Sequence, residues 1–299
     1  MTTSEHPCTA ADLAGYLRSQ RLAYACATHV ESQLEAGMTE IQAADLMRAY
    51  MIRHDIRHYF HAPFVWFGDR TELALDWSDE EFLPSQRRLV QGMPVILDVA
   101  PIVDGYASDI GYAFAFGGHP VVDAMLADLE AFRDMIPRLL KAGATMQQVY
   151  RTLDQQIAAA GYRSSHHAYP AGVIGHRVST FAPGIGDEAL TGGFGKSAFH
   201  YLKDKKEASR HDPLVSPYWN GCDQSAHAPE AGLWAVEPHI ARGGIGVKFE
   251  ELLVVTEGDA YWLDPEPPHV QRWRLTAGVG SGRGASASAV ATEPRGPEA

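Results

Sequence analysis

Two stretches of this chain place paired carboxylates around glycine turns, and no other feature restricts the fold as strongly. The first, 94-PVILDVAPIVDGYASDIGYAFAFG-117, carries Asp98 and Asp109 on either side of Asp104-Gly105. The second, 234-WAVEPHIARGGIGVKFEELLVVTEG-258, carries Glu237 and Glu250 on either side of Gly243-Gly244. Asp-Gly and Gly-Gly between apolar runs signal two-residue β-hairpins, because such turns need positive φ at both central positions. A turn closed at Gly243-Gly244 sets Glu237 directly opposite Glu250, with Cβ atoms ~5 Å apart. A turn closed at Asp104-Gly105 sets Asp109 opposite Ala100, which makes Asp98 its diagonal neighbour within ~8 Å. Like charges held this way on half-buried strands repel unless cations lie between them. Two such pairs predict a metal site on antiparallel sheet.

The rest of the chain is compatible with a metal enzyme and excludes several other classes. At 299 residues, with 45% hydrophobic and 21% charged residues, it is long enough to bury a large core. Its net charge of -12 argues against nucleic acid or an anionic membrane as partner. The three cysteines, Cys8, Cys26 and Cys222, are too scattered for a disulfide framework or a cysteine zinc site. The start has no signal-peptide pattern and no apolar run is long enough to span a membrane, so a cytoplasmic location is expected.

A repeated order of elements is legible. Residues 10 to 56 read as helix, interrupted at Glu35-Ala36-Gly37 and restarted by a capping box, Thr39 with Gln42. The apolar segment 58-HYFHAPFVWFG-68 follows, then a polar loop with a short helix over 69–91, then the first acidic hairpin. Pro120 to Ala142 is a second amphipathic helix, and Thr145 with Gln148 caps another to about Ala160. A histidine-bearing loop and the second acidic hairpin complete the parallel, and Thr39 and Thr145 are separated by as many residues as His61 and His167. Two similar α+β halves meeting across one site are expected. Residues 182–233 read as an insertion or lid, with Phe194, Phe199, Tyr218 and Trp219 shaping a substrate pocket. Residues 277–299 read as a disordered Gly/Ser/Ala-rich tail, leaving 1–276 as a single domain.

Metal sites rich in oxygen ligands take histidine as the usual further ligand. Of the 14 histidines, His176 in AGVIGHRVST is best placed to face inward, following small apolar residues and preceding a strand. His61, between Phe60 and Ala62-Pro63, fits a packed core histidine or a catalytic acid equally well. His54 and His58 sit near a helix end among arginines, and His166 and His167 in a polar turn, where solvated roles are expected. Glu251 alternates to the face opposite Glu250 and is not a ligand.

These residues resemble the pattern of the pita-bread metallopeptidases: methionine aminopeptidases, Xaa-Pro aminopeptidases, prolidases and creatinase. That family binds metal through Asp, Asp, His, Glu and Glu in this order. The matching stretches are 98-DVAPIVDGYASDI-110, 175-GHRV-178, Val-Glu-Pro at 236 to 238, and KFEELLVVTE at 248 to 257. The resemblance covers roughly residues 15 to 265 and corresponds to the catalytic domain, without the separate N-terminal domain of prolidases and creatinase. It implies an α+β pita-bread fold of two pseudo-symmetric halves. It also implies two divalent ions (Mn, Fe, Co or Zn), one held by Asp98 and one by His176, with Asp109 and Glu250 bridging. Glu237 then binds metal and serves as general base, and His61 is the non-ligand catalytic histidine.

The chain departs from the family at two places. Where the family reads close to Ile-Thr-Arg-Thr-Phe, this chain reads Ile110-Gly111-Tyr112-Ala113-Phe114. Where a second non-ligand histidine is usual, Pro183 and Gly184 stand, with His200 the nearest substitute. The expected activity is amide-bond hydrolysis, most simply by an aminopeptidase or Xaa-Pro peptidase acting on a short peptide. The alternative is creatinase-like C–N hydrolysis of a small molecule; a non-catalytic binding protein is the third reading. A homodimer is compatible with the sequence.

Overall fold

The computed structural model describes residues 9–75, 78, 80–181 and 190–281. The first half runs α1 (Ala10–Glu31), α2 (Glu40–Arg53), β1 (Tyr59–Phe67), β2 (Pro94–Val103), β3 (Tyr106–Ala107) and β4 (Ile110–Ala115). The second begins with α3 (Pro120–Lys141), α4 (Met146–Ala159), β5 (Arg163–Ser164) and β6 (Gly175–Arg177). Between them and the second acidic hairpin lie β7 (Leu190–Thr191), β8 (Phe194–Gly195), α5 (Lys196–Ala208) and β9 (Tyr218–Trp219). The hairpin itself is β10 (Gly232–Val236), β11 (His239–Arg242) and β12 (Ile245–Thr256), followed by β13 (Asp259–Trp262) and α6 (Pro268–Ser281).

Both hairpins form in the expected register. Asp104 and Gly105 take φ of 51° and 86°, and Gly243 and Gly244 take 62° and 81°, the left-handed pair a tight hairpin needs. In the first, Val103 pairs with Tyr106 and Asp98 with Gly111. In the second, Arg242 pairs with Ile245 and Val236 with Glu251, so Glu237 and Glu250 face each other where β10 gives way to β11. The main path of the antiparallel sheet is β7-β8-β1-β2-β4-β12-β10-β6-β9, which brings the two hairpins edge to edge through β4 and β12.

Helix starts follow the sequence. The capping boxes Thr39/Gln42 and Thr145/Gln148 both close, each satisfying two otherwise orphaned amides and contributing ~1 kcal/mol. A third, Thr9/Asp12, opens α1. Odd-numbered side chains of β2 (Val95, Leu97, Val99) pack with Tyr112 and Phe114 against α1 and α2, forming one core. Ile96 on the other face joins Phe64 and Trp66 in the larger core built on α3 and α4. Pro137 inside α3 removes the amide that would bond the Arg133 carbonyl, and the Trp262 indole donates to that oxygen at 3.1 Å instead.

Three expectations change. The segment expected to be a disordered tail begins inside α6, which continues to Ser281; residues 282–299 lie outside the described residues, as do Pro183 and Gly184. Trp219 does not line a pocket: it is fully buried, edge-on to Trp234, and its indole donates to the Met146 carbonyl at 2.7 Å. His166 is not solvated but buried, because Asp154 on α4 collects His166 Nε2 at 3.0 Å, His167 Nε2 at 2.9 Å and the Ser164 hydroxyl at 2.6 Å.

Burial pushes the Asp154 carboxyl pKa up, but the bonds from His166, His167 and Ser164 outweigh it and hold it well below the usual carboxylate range. A depressed pKa contributes stability above the unfolded value of about 4, lost as pH falls through the folded value. Asp154→Asn is therefore expected to cost ~1–3 kcal/mol at pH 7, with the deficit shrinking below about pH 4. Denaturant melts at pH 7, 5 and 3 check this; a pH-independent deficit contradicts it.

Candidate metal centre

Three adjacent strands create one transverse row of the site. On β2 Asp98 pairs with Gly111 of β4, and Gly111 pairs on its other side with Glu250 of β12. Asp109 lies just before β4, where the ladder pauses between β3 and β4. His176 enters on β6 opposite Ala235, and Glu237 follows β10 with its amide bonded to the Ile174 carbonyl at 2.7 Å. His61 sits on β1 between two register shifts, one of them spanning Pro63, which has no amide to give a ladder. These bulges turn His61 onto the face of Asp98.

All five expected ligands and His61 therefore converge. His61 Nε2 lies 3.0 Å from Asp109 Oδ1 and 3.2 Å from Asp98 Oδ1. His176 Nε2 lies 3.2 Å from Asp109 Oδ2 and 3.8 Å from Glu250 Oε1. Each imidazole donates its Nδ1–H to a neighbouring backbone carbonyl, His61 to Ala62 at 2.8 Å and His176 to Arg177 at 3.1 Å, which aims Nε2 at the carboxylates. Stacked rings fix both orientations: Phe60 lies 4.9 Å from His176 and Phe64 4.7 Å from His61, with Phe194 edge-on to His61 at 5.7 Å. Phe194 thus touches the site through His61, whereas Phe199 and His200 are exposed on α5.

Electrostatics divide the carboxylates. Burial raises Asp109, but His61 and His176 outweigh it and drive its pKa well below the usual range. Burial, reinforced by Asp109 and Glu237, holds Glu250 well above that range, and burial raises Glu237 as well. Burial lowers both imidazoles, yet Asp109 raises both, with Asp98 adding to the effect on His61. Two buried oxygens, Asp98 Oδ1 and Glu250 Oε1, have no hydrogen-bond partner. Such orphans cost ~1–3 kcal/mol each unless a cation meets them. Oxygen atoms with imidazole nitrogen form a donor set suited to Mn, Fe, Co or Zn. Two compact groups of potential ligands share Asp109: His61, Asp98 and Asp109, and Asp109, His176 and Glu250. The residues present fit a divalent ion.

One participant has no counterpart among the residues picked out from the sequence. Lys248, 1% exposed at its side chain, donates from Nζ to Asp98 Oδ2 at 2.6 Å and to Glu237 Oε2 and Glu250 Oε2 at 2.8 Å each. Burial lowers the ammonium pKa, and Asp98, Glu237 and Glu250 together overcome this and hold it well above the ordinary lysine value. The signal lies in strand alternation: Lys248 stands two residues before Glu250 and shares its face. Glu251 points the other way, as expected, onto Arg133 and His269.

The model of metallopeptidase family M24 matches residues 14–257. Among solved structures, an X-Pro aminopeptidase from Thermotoga maritima is similar with a TM-score of 0.62 at 16% identity, over 87% of this chain and 63% of that one. A dipeptidase from Mycobacterium ulcerans gives 0.59 at 20% identity, over 88% and 60%. Prolidase from Pyrococcus furiosus gives 0.59 at 15%, over 87% and 66%. The chain spans less than two thirds of each of these structures, and the likeness carries the α+β pita-bread fold. A search of the curated proteins returned no match. No helix among the described residues is long and apolar enough to cross a membrane.

Proposed function

The chain belongs to metallopeptidase family M24, and from that premise we propose that it is a metal-dependent hydrolase cleaving an amide bond, most simply as an aminopeptidase or Xaa-Pro peptidase acting on short peptides. The observation that carries this reading is the convergence of Asp98, Asp109, His176, Glu237 and Glu250 with His61 on one buried face, where Asp98 Oδ1 and Glu250 Oε1 form no hydrogen bond of good geometry. A divalent ion held there, Mn in the simplest case, supplies Lewis acidity toward a substrate carbonyl and lowers the pKa of water. Four carboxylate charges match two divalent ions, although Lys248 already brings one positive charge into the cluster.

The chain's own residues have separable tasks. Glu237 is the least enclosed of the four carboxylates, with 10% of its side chain exposed against 3% for Asp98 and 2% for Glu250. It is therefore the carboxylate best placed to take a proton from water. His61 has both nitrogens facing acceptors, and that favours the protonated ring, which donates toward the leaving nitrogen. Phe60, Phe64 and Phe194 hold the two imidazoles against apolar rings and exclude bulk water from that side. The cysteines among the described residues, Cys26 and Cys222, are unpaired, in keeping with a cytoplasmic home.

The test is a panel of short peptides with free N-termini, including Xaa-Pro sequences, offered to protein stripped with chelator and reloaded separately with Mn, Fe, Co and Zn. Cleavage should vanish on stripping and return with at least one metal. Absence of cleavage under every metal refutes the peptidase reading, and hydrolysis of small C–N substrates alone moves the activity to that class.

A further inference from the structure

We propose that the Lys248 ammonium is a built-in counter-cation that takes one of the two cation positions in the carboxylate cluster, so that the site binds one divalent ion per chain. This rests on the metal-hydrolase reading above and narrows its ion count.

The carboxylate oxygens are partitioned into two sets. Asp98 Oδ2, Glu237 Oε2 and Glu250 Oε2 all converge on Nζ within 2.6–2.8 Å. The opposite oxygens, Asp98 Oδ1 and Glu250 Oε1, receive nothing from Lys248 and form no hydrogen bond of good geometry; they lie toward Asp109 and the two imidazoles, 3.2 Å from His61 Nε2 and 3.8 Å from His176 Nε2 respectively. A fixed positive charge thus satisfies the first set, while the second set, with Asp109 and His176, is left for an ion. A second divalent ion among the first three oxygens would meet a primary ammonium at hydrogen-bond distance, where like charges repel strongly in a dry interior.

The lysine is held by its surroundings and did not reach the cluster by chance. A Cβ at Gly111 would lie 2.5 Å from Lys248 Cε, 3.0 Å from Cδ and 3.2 Å from Cγ, so the methylene stem runs through space that any side chain at 111 would fill. On another side the Tyr169 ring centroid lies 5.0 Å from Nζ. The Tyr169 hydroxyl donates to His239 Nδ1 at 2.8 Å, and His239 Nε2–H donates to the Thr71 carbonyl at 2.8 Å, which fixes the ring in place. His239 is also the ladder partner of Lys248. Gly111 and Lys248 therefore act as a unit: the missing side chain on β4 admits the charged one on β12.

The experiment counts ions. Chelator-stripped protein is titrated with Mn(II) and with Zn(II), and saturation is read by calorimetry, native mass spectrometry and elemental analysis, with EPR reporting whether bound Mn(II) is isolated or exchange-coupled. Wild type should saturate at one ion with the EPR of isolated Mn(II). Lys248→Met, similar in length and neutral, should bind a second ion at least tenfold more tightly than wild type does and give a coupled signal. Gly111→Ala, which evicts the stem without touching the charge, should move the same way and guards against a folding defect in the first variant. Two tightly bound ions in wild type, or variants that stay at one, overturn the proposal while leaving the hydrolase reading intact. No ion in any of the three proteins overturns both.

Discussion

Glu237→Gln is expected to lower kcat on the best peptide substrate by ~10²–10⁴-fold, the range a positioned general base contributes. The substitution suits the purpose because it keeps the side chain's shape and an oxygen able to accept from Lys248, which donates to Glu237 Oε2 at 2.8 Å. What it removes is the capacity to take a proton at the one carboxylate of the cluster that retains some exposure. Bound metal, measured by elemental analysis on the same preparation, separates the two roles of Glu237. Lost rate with retained metal is the signature of a base, and lost rate with lost metal is the signature of a ligand. A kcat within tenfold of wild type contradicts the base assignment outright.

Glu251→Ala should destabilise the scaffold more than any other change named here. The Glu251 carboxylate receives Arg133 Nε at 2.5 Å, a second Arg133 nitrogen at 2.8 Å and His269 Nε2 at 2.7 Å, all from side chains no more than 8% exposed. Burial raises its pKa, but His269 and Arg133 overcome this and keep it below the ordinary glutamate value, so the pair is ionic. Deleting the anion strands a buried guanidinium beside the Trp262 ring, 5.1 Å away, at a cost of ~3–5 kcal/mol. That is a fifth or more of the ~5–15 kcal/mol that typically stabilises a folded protein. Joint replacement of Glu251 and Arg133 by Met should recover most of the loss, since a neutral pair needs no compensation. Denaturant titration decides: a loss below ~1 kcal/mol for Glu251→Ala would mean that Arg133 finds another partner. Because Glu251 and Glu250 are adjacent and face opposite ways, the same strand anchors the fold on one side and presents a carboxylate to the candidate metal centre on the other.

Turn chemistry and strand alternation make a large part of this molecule legible in its sequence. Asp104-Gly105 and Gly243-Gly244 admit the left-handed turn, and once each turn is closed the pairings Asp98–Gly111 and Arg242–Ile245 follow without further information. The capping boxes at Thr39 and Thr145 are equally local, each needing only the residue three places on. The shared inward face of the carboxylates proposed as ligands follows from the same period of two.

The remainder depends on contacts between strands far apart in sequence. Nothing local says that β4 lies beside β12, and only that adjacency brings Gly111 against the stem of Lys248. Along the chain, a glycine where the family carries threonine is a departure without a cause; across the sheet it is the clearance for a buried ammonium. The orientation of His61 depends on two bulges in β1 that the segment's apolar pattern does not signal. His166 and Trp219 depart from expectation for the same reason, since Asp154 and the Met146 carbonyl, which bury and satisfy them, reach them only through the packing of α4. Sequence alone determined which residues share a face, because strand period and turn geometry act over a few residues. The tertiary structure alone decided which faces meet, and therefore that the acidic hairpins enclose a lysine as well as room for metal.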